Sequence, residues 1–325
     1  MREFFSFAGL EQIFGALLIT VVMLDVFLTV LYARARIGII SRLISAVTWR
    51  LFRAVSVPFG EYRASVISLC GPAILALVVG VWAFALCLGA ALIIHPALGT
   101  SVTASSGATP TDFITALFAG GGSMAIVGAS NFTPQTTAFR LLYLFNSVAG
   151  MCVVSLTLTY LLQVYAALQR RNSAALNFHL ASAETGDAAE LVAGLGARGN
   201  FDNGYTDLSQ MATIMTQIKE SHHFYPVLLF FRFREARYSA SRFALVALDS
   251  VTLIKSALDD EKYEWLKESL SATQLWRASI LLLETLAENF LSADENPAEK
   301  QFGEETRERW RRRYFAAVRR LKQAG

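Results

Sequence analysis

The sequence predicts an all-α protein: a membrane half with three helical spans and a re-entrant segment, then a helical domain of cytosolic type. Three observations lead there. Of the 325 residues, 54% are hydrophobic and only 17% are charged, against about a quarter charged in soluble domains. The charges are unevenly placed. Residues 1–170 hold 9 arginines and 5 acids, residues 171–325 hold 20 basic and 21 acidic residues, and no lysine precedes Lys219. Finally, the 106 residues from Ala64 to Gln169 carry two formal charges, Asp112 and Arg140. Such a stretch excludes a simple soluble enzyme and a disordered chain.

The apolar runs define the spans. They cover about Phe7–Ala33, Ser65–Ile94 and Phe139–Leu168, each longer than the roughly 20 residues that cross the hydrocarbon. The first is too long for a signal-peptide core, so it is expected to be retained. The linker after it carries Arg34, Arg36, Arg42, Arg50, Arg53 and Arg63 against Glu61 alone. Basic residues favour the cytoplasm. The N-terminus is therefore expected outside, residues 95–138 outside and the C-terminal half inside, in a plasma (inner) membrane. Within the linker, Ile37, Ile40, Ile44, Val47, Leu51 and Val55 recur at helical spacing, which predicts an amphipathic helix in the inner interface; the alternative is an extension of the first span. Domains are expected at 1–63, 64–170 and 171–325.

Between the second and third spans lies a shorter apolar stretch, Phe113–Ala129, too short and glycine-rich to cross. Thr109-Pro110-Thr111-Asp112 is a helix start. Phe113–Phe118 is expected to be a short helix, ended by Gly120-Gly121-Gly122, which is poor helix material. Then comes Ser123-Met124-Ala125-Ile126-Val127-Gly128-Ala129-Ser130-Asn131-Phe132-Thr133-Pro134.

Residues 65–170 resemble the pore domain of the potassium-channel superfamily, in its bacterial two-span form. The family's filter, Thr-Val-Gly-Tyr-Gly-Asp with a proline three residues on, matches Ile126, Val127, Gly128, Ala129, Ser130 and Asn131, with Pro134 in register. Gly150 lies where the family places an inner-helix hinge. The phrase Asp25-Val26-Phe27-Leu28-Thr29-Val30-Leu31 and the start Cys70-Gly71-Pro72 are similar to a subgroup with one extra N-terminal span and a helical C-terminal domain. The resemblance implies a membrane pore domain, a homotetramer closed around four loops, and a monovalent cation, potassium, held by backbone carbonyls of 126–130. The filter is degenerate. Ile126 stands for threonine, Ala129 for tyrosine, Ser130 for the second glycine, and Asn131 for the acid. Two readings stay open: a channel for small monovalent cations, or a non-conducting scaffold or sensor that keeps the pore fold and signals through its cytosolic helices.

Several residues carry paired readings. Asn146 and Thr157, with Thr159, could line a pore or hydrogen-bond between helices. Gly150 is a hinge or a close-packing site. Asp25, inside the first span, is expected to pair with an arginine such as Arg34 or Arg63, with a gating role as the alternative. No span repeats arginine at every third position, so no voltage sensor is expected. Gly194-Leu195-Gly196-Ala197-Arg198-Gly199 matches a dinucleotide fingerprint only as text, because no strand precedes it; a helix C-cap and loop is expected. Adjacent His222 and His223 point about 100° apart on a helix and share a metal poorly. No catalytic constellation, metal site, cofactor or nucleic-acid partner is expected, and the three cysteines fit no disulfide framework.

The remaining half shows helical periodicity at about 173–182, 187–194, 206–222, 239–258, 263–292 and 304–322. The last helix is basic, with Trp310, Tyr314, Ala317 and Leu321 on one face. It could bind an anionic leaflet or acidic partner, or dock on its own domain. The lipid bilayer is an expected partner; the cytosolic one is open.

Overall fold

A computed structural model describes residues 7–32, 38–125, 131–290 and 303–324. It is mostly helical and divides into two compact units, residues 1–58 with 69–164, and residues 59–68 with 165–325. Three helices are long and apolar enough to cross a membrane.

In the first unit, α1 (Phe7–Val26, ending in a wider turn at Phe27–Leu31) packs antiparallel on α4 (Cys70–Ile94). Two glycines allow the contact. A Cβ on Gly15 would stand 2.5 Å from the Gly89 carbonyl oxygen, and one on Gly89 would stand 2.9 Å from that of Gly15. Small residues let backbones approach closely where lipid supplies no hydrophobic drive. At one end of the pair Glu11 Oε1 meets His95 Nδ1 at 2.8 Å. Both α1 and α2 (Ile39–Ser56) pack on α4.

The helix α2 is separate from α1, and its faces are unequal. Ser41, Ser45, Thr48 and Ser56 are buried, while Ile39, Leu43, Val47, Leu51 and Val55 are exposed. The apolar stripe thus faces away from the protein, as a bilayer-facing surface requires.

Asp25 is held by polar groups of other elements. Its carboxylate is buried at 3% exposure and sits on the N-terminus of α2. Oδ1 accepts from the Ile40 amide at 2.8 Å; Oδ2 accepts from the Ser41 amide at 3.3 Å, the Ser41 hydroxyl at 2.7 Å and the Trp82 indole at 2.9 Å. Free amides and the positive end of the helix dipole solvate the carboxylate. Among the described residues no ion pair involves Asp25; Arg34 lies outside them.

Next come α3 (Arg63–Ser68), assigned to the second unit, and after α4 a short antiparallel pair, β1 (Val102–Ala104) with β2 (Phe132–Pro134), Val102 opposite Pro134. Between the strands lies α5 (Phe113–Met124). It runs through the three glycines that were expected to end it. Packing explains this: a Cβ on Gly120 would stand 2.7 Å from the Ala91 amide nitrogen, so glycine brings α5 onto α4 and offsets its poor propensity.

The helix α6 (Thr137–Ala181) is continuous, so the predicted segment 173–182 is its last turns. The second unit adds α7 (Ala188–Leu195), α8 (Asp202–Phe224), α9 (Ala240–Ala257), α10 (Asp260–Lys267), α11 (Leu270–Phe290) and α12 (Glu304–Ala324). The predicted helix 263–292 is broken at Glu268–Ser269, because the Ser269 hydroxyl accepts from the Ala272 amide at 3.2 Å and starts α11 anew. Asp187 and Asp259 cap α7 and α10 in the same way. The core of this unit joins Phe178, Leu191, Leu208, Met215, Phe243, Ile254, Leu275 and Leu282. The glycine-rich text at 194–199 is a helix end and turn, with Gly196 against the Phe201 ring. Tyr314, Ala317 and Leu321 of α12 pack on this core. Arg320 clasps Glu190 of α7 with two hydrogen bonds of 2.6 and 2.8 Å.

Candidate functional site

The segment from Asp112 to Pro134 leaves one end of the α4 helix and returns to it. It starts beside His95, whose ring meets Phe113 edge-on at 5.5 Å. Asp112 caps α5: it accepts from the Thr115 amide at 2.9 Å and the Thr115 hydroxyl at 2.7 Å. Those hydrogen bonds hold its carboxyl below the usual carboxylate range. Twelve residues of helix extend about 18 Å. Along that length α5 lies on α4 through a cluster of Ala91, Ile94, Ala116 and Ala119.

The far end of α5 meets the middle of α6. A Cβ on Gly150 would stand 2.1 Å from the Met124 carbonyl oxygen. Buried Asn146 donates to the Ser123 hydroxyl at 2.9 Å, and that hydroxyl donates to the Gly120 carbonyl at 2.7 Å. The chain is back at the starting end by Phe132, which opposes Ala104 in the strand pair and packs edge-on to Phe118 at 6.4 Å. Arg140 Nε, in the first turn of α6, donates to the Pro134 carbonyl at 3.3 Å.

The sequence-derived site residues divide as follows. Ile126, Val127, Gly128, Ala129 and Ser130 lie outside the described residues. Asn131 is exposed, and its carbonyl accepts from the Ser105 amide at 2.7 Å. Gly150 is a close-packing position for α5. Asn146 bridges α5 and α6, and its Oδ1 has no hydrogen-bond partner among the described residues. Thr157 is buried about three turns further along the same face, its hydroxyl likewise without a hydrogen-bond partner among the described residues. Thr159 bonds back to the Ser155 carbonyl of its own helix. Among the described residues no three His, Cys, Asp or Glu side chains gather as a metal set would need.

Electrostatically, α5 points its carbonyl end toward mid-α6 and its amide end toward Asp112. The carbonyl end carries about half a negative charge, and a cation gains there. The Asn146–Ser123 bond matches the interhelical alternative read for Asn146; what sequence reasoning missed was the partner, Ser123.

A helical body with three spanning-length apolar helices is the class these features define. The chain is similar to an uncharacterized membrane protein, YdjJ, of Bacillus subtilis (strain 168), with 23% identity over 248 residues, covering 76% of this chain and 70% of that protein. No family model and no solved structure matches. The protein is a membrane protein with candidate transmembrane helices.

Proposed function

We propose that this chain is one subunit of a homotetrameric channel for small monovalent cations, built on a potassium-channel-like pore domain. The observation that carries this reading is the excursion 112–134. A short capped helix runs from one end of α4 to the Asn146–Gly150 stretch of α6 and aims its carbonyl end there, and Phe132 stands again beside the strand at the starting end. In a bilayer that is a re-entrant segment. One such segment cannot surround an axis, and the resemblance to the potassium-channel pore implies a ring of four copies. Exposed apolar side chains on α5 and α6, including Ile114, Phe118, Phe145 and Met151, supply surface for neighbouring copies and lipid. The arginine-rich linker supports a topology with residues 34–63 and the C-terminal half in the cytoplasm and the 95–138 region outside.

The test is cation flux in liposomes holding the purified full chain, with the oligomer counted by native mass spectrometry. Potassium or sodium flux from a tetramer is the expected result. A verified tetramer that passes no monovalent cation would sink the channel and leave the scaffold or sensor reading. In a conducting protein, combined I126T, A129Y, S130G and N131D substitutions should raise potassium preference over sodium. Unchanged selectivity would overturn the alignment of the filter.

A further inference from the structure

The helix α2 carries three bands around its circumference. Ser41, Ser45, Thr48 and Ser56 form the buried one, and Ile39, Leu43, Val47, Leu51 and Val55 form an exposed apolar one. The third is Arg42, Arg50 and Arg53, all exposed. At about 100° per residue these arginines fall within an arc of about 80° and extend about 16 Å along the axis. Their arc borders the apolar stripe on the side of Ile39 and Leu43.

The basic band is not neutralised by the protein. The helix contains no acid. Among the described residues, Arg42, Arg50 and Arg53 make no ion pair. The described carboxylates of this unit are Glu11, Asp25 and Asp112. Glu11 meets His95 at the other end of α4, and Asp112 is bonded to Thr115. Asp25 is sealed under the start of α2 at 3% exposure. Residues 33–37, just before α2, add Arg34 and Arg36 and no acid.

Position says what meets this surface. The helix packs on α4, which is long and apolar enough to cross a membrane. A stripe of exposed aliphatic side chains beside such a helix suits acyl chains. A row of guanidinium groups along the edge of that stripe suits what the chains are joined to. The planar fork of arginine matches a phosphate with two parallel hydrogen bonds. Three cations without a counter-ion favour a headgroup of net negative charge over a zwitterionic one, whose own ammonium opposes the attraction.

We propose that α2 is a binding site for anionic phospholipid. Arg42, Arg50 and Arg53 hold headgroup phosphate, and the Leu43–Val47–Leu51 stripe holds the acyl chains. Asp25 of α1 is bonded to Ile40 and Ser41 of α2 and to Trp82 of α4. A lipid seated on α2 therefore braces the packing of these three helices, and anionic lipid stabilises the fold. The site requires that α4 spans a bilayer and is independent of ion conduction.

The experiment uses the delipidated full chain in detergent, with native mass spectrometry and thermal unfolding in added phosphatidylglycerol, phosphatidylcholine or glycerol 3-phosphate. Phosphatidylglycerol should bind roughly tenfold or more tighter than phosphatidylcholine and raise the unfolding midpoint. Glycerol 3-phosphate, which has the charge without the chains, should bind roughly tenfold or more weaker than phosphatidylglycerol. Combined Arg42→Gln, Arg50→Gln and Arg53→Gln should remove the preference for phosphatidylglycerol and leave unfolding in lipid-free detergent unchanged. Arg50→Gln alone should lose about threefold or more, a readout that stands if the triple variant folds poorly. Equal binding of the two phospholipids, a preference unmoved by either variant in folded protein, or glycerol 3-phosphate binding as tight as phosphatidylglycerol would each overturn the assignment. A stripe covered by a second copy of the chain would give the first of these results.

Discussion

At Asp25 a single carboxylate gathers four hydrogen bonds from two other elements. Its desolvation is offset by two helix-terminal amides, a hydroxyl and an indole. Asp25→Asn keeps the shape but replaces an acceptor oxygen with an amide donor that faces other donors. We expect a loss of about 3 kcal/mol. Trp82→Phe removes one donor and should cost about 1.5 kcal/mol. Denaturant unfolding in detergent, followed by tryptophan-independent circular dichroism, checks the order; a W82F loss equal to or larger than that of D25N contradicts it. The sequence flagged Asp25 because ionisable groups in spans are rare. Its partner was illegible, since a backbone amide has no letter. Gly38 was the unread clue: a Cβ there would stand 2.2 Å from Asp25 Oδ1.

The helix α5 turns on where its glycines lie. Gly120 and Gly150 mark backbone contacts, with virtual Cβ atoms 2.7 and 2.1 Å from Ala91 N and Met124 O. At Gly121 the nearest atom is Cys87 Sγ at 3.7 Å, an ordinary contact. Gly120→Ala and Gly150→Ala should therefore destabilise by about 1–3 kcal/mol through overpacking. Gly121→Ala should be neutral, or stabilising by up to about 1 kcal/mol through helix propensity. Thermal unfolding of the three variants side by side reads the difference, and equal effects at 120 and 121 would contradict the packing. Three identical letters thus hold different roles. The helix start at Asp112 was legible because a cap is local chemistry. The helix end was not, because a neighbouring helix overrides local propensity. The same contrast governs 263–292, where periodicity ran on while the Ser269 hydroxyl restarted the backbone.

Over the whole molecule, the spans, the linker helix and the helical second half were all readable, because each rests on periodicity or length. Which residues meet across elements was not: Arg320 and Glu190 are 130 positions apart and share an ion pair that no spacing announces. The charge layout carries a further prediction. With the orientation proposed above, trypsin added to spheroplasts should leave the C-terminal half uncut, and trypsin added to inside-out vesicles should digest it, including the arginines exposed on α12. Antibody to a C-terminal tag follows both. Cleavage of that half from the outside reverses the topology.

The seat of Asp25 also constrains biogenesis. Ribosomes deliver residues in order, so the carboxylate emerges first, the α2 amides about fifteen residues later, and Trp82 after 57 residues in all. Until α4 is inserted beside α1, the negative charge has only part of its solvation shell. The first hairpin of the nascent chain is thus incomplete by itself. Its closing bond waits for the second apolar helix, so the carboxylate gains the indole as a partner only when Trp82 has been made and α4 lies beside α1.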